Sequence, residues 1–201
     1  MAGETGPGKL PRPRPTGRPD PMASAFAHAF TAAALALAVT PGRWLPRLLL
    51  VAVVCSVLPD LDVVGFGWGV RYGDFLGHRG FSHSLVFAAL TAGFVTWLCF
   101  RGGRWDGLRL RIALLLFVVT ASHGLLDALT NGGLGVAFFS PFDDTRYFLP
   151  YRPVEVSPLG VGAFFTPRAL PLLWTEWVWI GLPVSLLAWV LRGFVRKLEQ
   201  A

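Results

Sequence analysis

Charge is what this sequence has least of: 15% of its residues are Asp, Glu, Lys or Arg, against about a quarter in soluble domains. The hydrophobic share is 53%. Together these exclude an ordinary water-soluble globule and make a lipid bilayer the natural solvent and first partner. Cysteine is scarce too. The two present, Cys55 and Cys99, sit inside apolar runs, which excludes a disulfide framework and makes each a small buried hydrophobe with a suppressed thiolate. No basic patch interleaved with aromatics occurs, so nucleic acid is not expected as a structural partner. The net charge of +6 is carried mostly by arginines between and beyond the apolar runs, where it acts as a topology signal. No internal repeat is visible.

Residues 1–21 are rich in Pro, Gly and Arg and lack apolar periodicity, so they are expected to be disordered. They contain no signal-peptide core, and Met22 is an alternative start for translation. One membrane-embedded domain, residues 22–201, follows. Its apolar segments run at about 23–40, 47–64, 81–100, 110–130 and 170–191. Four approach the ~20 residues that cross a hydrocarbon core, and the second is shorter and ends in acids. Each must be helical, because backbone polar groups in lipid have to be satisfied within the segment. Pro41-Gly42, Gly102-Gly103 and Asn131-Gly132-Gly133 are helix stops. The expected fold is all-α: a polytopic bundle of four to five transmembrane helices, with a long extramembrane loop over 132–169 before the last.

What the chain does hold is four histidines, placed at alternating helix ends. His28 opens the first segment, Asp60 and Asp62 end the second, His78 and His83 bracket the start of the third, and His123 and Asp127 close the fourth. In an up-down bundle, alternating ends lie on one side. The opposite side carries Arg43, Arg47, Arg101, Arg104, Arg109, Arg111, Arg192, Arg196 and Lys197, and the histidine side carries Arg71, Arg79, Arg146, Arg152 and Arg168. With a start at Met22, the positive-inside rule puts the histidines outside the cytoplasm; Lys9, Arg12, Arg14 and Arg18 would level the two sides.

Clustered His and Asp at a membrane edge mark a functional site by default, and a divalent metal offsets their desolvation best. His123 and Asp127 have the four-residue spacing that lets two side chains reach one ion. The bland alternative is a helix-end histidine bonded to a carbonyl. His78 and His83, across a glycine-containing junction, do not have a common direction. Either can be a ligand while the other is a neighbour or a general acid; His83 is taken as the ligand and His78 as the catalytic residue. Asp60 and Asp62 cannot share a helical face, so Asp60 is assigned as ligand and Asp62 as the group that orients a histidine. His28 completes the expected ligand set of His28, Asp60, His83, His123 and Asp127. Arg79 is expected to clamp an anionic oxygen or anchor at the interface, and Ser82 to cap the third helix. Such donors suit one or two zinc ions, or manganese, over calcium or magnesium. A site of this kind activates water against a phosphoester or an acyl ester, and these residues do not separate the two. The non-catalytic alternative is a cluster that merely locks the helices together. The loop, with Asp143, Asp144, Arg146 and Arg152, is long enough to be a lid, and Trp174, Trp177 and Trp179 read as interfacial anchors.

The motifs His28, Leu58-Pro59-Asp60-Leu61-Asp62, His78-Arg79-Gly80-Phe81-Ser82-His83-Ser84, His123-Gly124-Leu125-Leu126-Asp127 and Ser140-Pro141-Phe142 together resemble the bacterial inner-membrane, metal-dependent hydrolases of the YdjM type, some of them under LexA control. The pattern is also distantly similar to the zinc-dependent phospholipase C and P1 nuclease group through the pair His123 and Asp127. The resemblance implies a multi-pass protein of the bacterial inner membrane. It also implies a zinc-dependent hydrolase acting on a small-molecule or lipid phosphoester, with His78, Arg79 and Asp62 around the reaction.

Overall fold

The computed structural model describes residues 24–40, 45–156 and 169–200; the expected disorder of residues 1–21 lies outside them. Helix α1 (Ala25–Val39) starts where the Ser24 hydroxyl accepts the Ala27 N–H, and stops where Thr40 turns extended, the backbone a residue before proline adopts. Helix α2 (Leu45–Val57) continues directly as a 3₁₀ helix, Leu58–Trp68, with Pro59 in its first turn. A short 3₁₀ turn at Phe81–His83 leads into α3 (Leu85–Cys99). The Ser84 hydroxyl caps α3 through the Phe87 N–H at 3.0 Å, so the cap is Ser84 and not Ser82 as expected. A 3₁₀ turn at Gly103–Trp105 joins α3 to α4 (Arg109–Ala128). The last segment is α5 (Ala169–Glu176), a π turn at Trp177–Gly181 and α6 (Leu182–Gln200). The wide turn falls just ahead of Pro183, whose missing N–H interrupts the helical ladder. Among the described residues there are no strands, only isolated bridges between Thr130 and Val154 and between Val136 and Tyr147.

Three helical stretches are long and apolar enough to cross a bilayer: Pro46–Trp68 (23 residues), Arg109–Ala128 (20 residues) and Ala169–Leu198 (30 residues). The second segment is therefore longer than its acids suggested. Those acids turn toward histidines inside the bundle, so they do not force the buried stretch to end. Conversely, α1 and α3 have 15 residues each, about 22 Å of helix, short of the ~30 Å hydrocarbon core.

Neighbouring helices approach closely because their facing positions are small. Ala32, Ala36, Ala52 and Ala92 are buried with Leu35, Leu48, Leu116 and Val119 in one core shared by α1, α2, α3 and α4. Small residues at such seams are the membrane solution to helix packing. Large side chains point outward instead: Leu50, Val54, Leu90, Leu114 and Leu186 are all more than half exposed, a surface that only lipid can cover. At one end of the bundle, the segment after α4 folds back as a cap. Its Ala137 N–H donates to Arg79, and its Phe138 and Tyr147 carbonyls accept from Leu85 and Val136.

Candidate metal centre

Under this cap, the end of the α2 segment, the turn before α3 and the end of α4 meet. The 3₁₀ winding at Leu58–Trp68, about three residues per turn, splays Asp60 and Asp62 onto different faces, and the structure uses both. Four donor atoms, one each from Asp60, His83, His123 and Asp127, lie within 4.8 Å of one another. The distances between them are 3.1 Å (His83 Nε2 to His123 Nε2), 3.2 Å (His123 Nε2 to Asp60 Oδ1) and 3.3 Å (His83 Nε2 to Asp127 Oδ2). His83 Nε2 to Asp60 Oδ1 and His123 Nε2 to Asp127 Oδ2 are each 3.7 Å. A tetrahedral ion with bonds of ~2.0–2.1 Å sets its donors ~3.3–3.4 Å apart. These five edges scatter around that value.

A proton or an ion can occupy the space between these donors: burial disfavours a charge on His83, but hydrogen bonds to Asp127, Asp60 and Asp62 raise its pKa. His123 Nδ1–H donates to the Ser56 carbonyl at 2.6 Å, and His83 Nδ1 lies 3.0 Å from Ser82 Oγ and 3.3 Å from Asp62 Oδ2. With both Nδ1 atoms serving as donors and both rings neutral, the two facing Nε2 atoms present lone pairs 3.1 Å apart, the state in which they can hold an ion. Beside them, Asp60 Oδ1 is buried and accepts no hydrogen bond. Lone pairs and carboxylates converging in this way repel unless a cation lies among them. The Asp127 carboxylate is completely buried and gripped by Arg79, whose Nε is 3.2 Å from Oδ2 and whose NH2 is 3.3 Å from Oδ1. Asp60, Asp62 and Asp127 against Arg79 leave two negative charges uncompensated, which one divalent ion balances.

Two expected residues have other places. The His28 ring stacks on His123 with centroids 3.7 Å apart and planes at 17°. A metal lies in the plane of the imidazole that holds it, so two parallel rings at this separation cannot share an ion. His28 is thus outside the four-atom set, with its Nε2 3.8 Å from Asp127 Oδ1. Arg79, expected to clamp an anion, is fully buried and spent on Asp127, Thr130 and the Gly132 carbonyl; it positions a ligand. Its backbone is held at φ +61°, a left-handed conformation that non-glycine residues keep only when their surroundings enforce it.

His78 and Asp62 form a second layer. His78 Nδ1 is 2.7 Å from Asp62 Oδ1, and the Ser82 hydroxyl donates to Asp62 Oδ2 at 2.6 Å. Asp62 therefore orients both His78 and His83, while His78 Nε2 is buried without a hydrogen-bond partner. In the cap, hydrogen bonds from Thr145 and then Tyr147 hold the Asp143 carboxyl below its ordinary range, and Asp144 accepts from Ser140. Neither belongs to the donor sets.

The family model described as YdjM inner membrane protein matches residues 22–198. The chain belongs to the YdjM inner membrane protein family. Inner membrane protein YbcI of Escherichia coli (strain K12) is 43% identical over 145 residues, covering 71% of this chain and 81% of its own. No solved structure matches, and the distant likeness to phospholipase C and P1 nuclease rests on the sequence motif alone. Family and spans together make this YdjM-family chain a protein of the inner membrane.

Glu176 is the residue of the YdjM-family chain to which the sequence assigned no role. It is buried and accepts the Ser24 N–H at 2.7 Å and the Ser24 hydroxyl at 2.5 Å, tying the start of α1 to the last helix. A lone acid in an apolar helix was the available signal, and its partner could not be read without the fold.

Proposed function

We propose that this protein is a membrane-bound, metal-dependent hydrolase whose ion is held by Asp60, His83, His123 and Asp127, and whose substrate is a phosphoester presented at the membrane. The observation that carries the reading is the convergence of four donor atoms within 4.8 Å of one another, two of them imidazole Nε2 atoms 3.1 Å apart. A bound zinc or manganese ion supplies Lewis acidity and lowers the pKa of water. The protein's own residues do the rest. Asp62 keeps the His83 Nδ1 proton in place, which leaves Nε2 as a ligand. His78, with its proton toward Asp62 and Nε2 free, is suited to take or return a proton beside the centre. Asp60 is the ligand in reach of solvent, with its side chain 15% exposed, so a substrate oxygen approaches on its side. Leu61, Val64 and Trp68, exposed around it, favour a lipid-like substrate.

A second reading follows from the same geometry. Four protein ligands already complete a tetrahedron, as in closed structural sites, and such a centre would only lock helices together. Elemental analysis of the wild type beside Asp127→Ala and His83→Ala, with a phosphoester and acyl-ester screen, separates the two. Hydrolysis expects about one metal equivalent, lost in both variants, and a His78→Ala protein that keeps metal but not activity. Metal content unchanged in both ligand variants sinks the centre. Metal bound without any ester turnover leaves the structural reading.

A further inference from the structure

The end of the bundle far from the centre carries a cleft of about 470 Å³ between α3 and α4, lined by Gly93, Thr96, Trp97, Arg101, Arg109 and, deeper, Leu110. Its chemistry is divided by depth. Arg101 and Arg109 flank the junction of the two helices, where Arg101 Nε donates to the Trp97 carbonyl at 3.0 Å and the guanidinium lies 3.8 Å over the Trp97 ring. Arg109 Nε donates to the Phe100 carbonyl at 3.3 Å, and its NH2 pairs with Asp106 at 3.0 Å. Arg101 keeps both terminal nitrogens for another anion, and Arg109, whose Nη2 also donates to the Gly102 carbonyl at 3.5 Å, keeps Nη1. Arg104 and Arg111 stand in the same stretch against the one acid, Asp106, so the local field is positive. Below the arginines, a Cβ built on Gly93 meets nothing within 4 Å, which shows open space beside the helix at that depth.

We infer that this cleft binds an anionic phospholipid, with the phosphate between Arg101 and Arg109 and an acyl chain along Gly93 and Leu110. Basic pockets between transmembrane helices on the cytoplasmic side are the known physical form of such recognition. Charge complementarity selects the occupant: a second copy of the chain would bring the same arginines against these, and a zwitterionic lipid offers no net charge. The site is independent of the metal centre, since it shares no residue with it.

The full-length protein, purified in detergent, is titrated with phosphatidylglycerol and with phosphatidylcholine, and retention is read by native mass spectrometry. Phosphatidylglycerol should be retained and phosphatidylcholine should not. Arg101→Gln with Arg109→Gln should weaken retention about 25-fold, at roughly fivefold per arginine. Gly93→Leu, which fills open space without touching backbone, should weaken it as well while leaving metal content and circular dichroism unchanged. Equal retention of the two lipids, wild-type retention in Gly93→Leu, or a lipid-independent dimer cross-linked through α3 would each overturn the inference.

Discussion

Asp127 and Arg79 show how much of the centre depends on single charges in a dry setting. Both side chains are fully buried, so removing the guanidinium leaves the cluster of carboxylates one positive charge short. Arg79→Ala should cost about 3–5 kcal/mol of stability and lower the apparent Tm in detergent; an unchanged Tm would mean that Asp127 is not charged. Asp62→Asn acts differently. It keeps volume and fold but no longer fixes the His83 proton, so metal affinity should fall about 10- to 100-fold with Tm close to wild type when metal is in excess, as a competition titration against a chelator would read. The sequence made Asp60 and Asp62 legible as a pair with divided roles, because two residues two apart cannot share a face. It could not show that Arg79 turns inward, since an arginine beside glycine at a membrane edge reads equally well as an anchor.

At the level of elements, the centre is a junction between α4 and the turn that carries His83, and Gly124 is what lets them touch. A Cβ there would lie 2.9 Å from the His83 carbonyl and 3.2 Å from Val136. Gly124→Ala should therefore push the turn and the cap away from α4, costing about 1–3 kcal/mol and metal occupancy, although Gly124 offers no ligand. Gly93→Ala is the matched control, with open space around its Cβ and a gain in helix propensity. Equal metal content and Tm in the two variants would refute a tight α4–turn contact. The helices themselves were readable from apolar length and stop residues. The lengths of α1 and α3 were not, because part of each apolar run went into a cap or a 3₁₀ turn.

Across the whole molecule, charge is sorted to the two ends. Arg47, Arg101, Arg104, Arg109, Arg111, Arg192, Arg196 and Lys197 lie at the end away from the centre, whereas on the centre's side Arg71 and Arg152 are exposed and Arg79 and Arg146 are tied up inside the protein. With a start at Met22, the positive-inside rule predicts that the His and Asp cluster faces out of the cytoplasm. A cysteine introduced at Tyr151 should react with a membrane-impermeant maleimide added to intact spheroplasts, and one at Arg104 should not; the reverse pattern would invert the topology. The ion should also act as a clasp for the bundle. Stripping it with a chelator should lower the apparent Tm, since a ligand at a thousand times its Kd contributes about 4 kcal/mol, and zinc should restore it.

Composition and the placement of four histidines at alternating ends of apolar runs were enough to determine a membrane-embedded helical bundle with its polar chemistry on one side, because lipid permits few other arrangements of such a chain. The tertiary structure alone decided which side chains converge. Whether an imidazole points at an ion or stacks on its neighbour, as His123 and His28 do, depends on ring planes and helix rotations of a few ångströms. These are set by alanine seams and a cap that contact the site from distant parts of the chain.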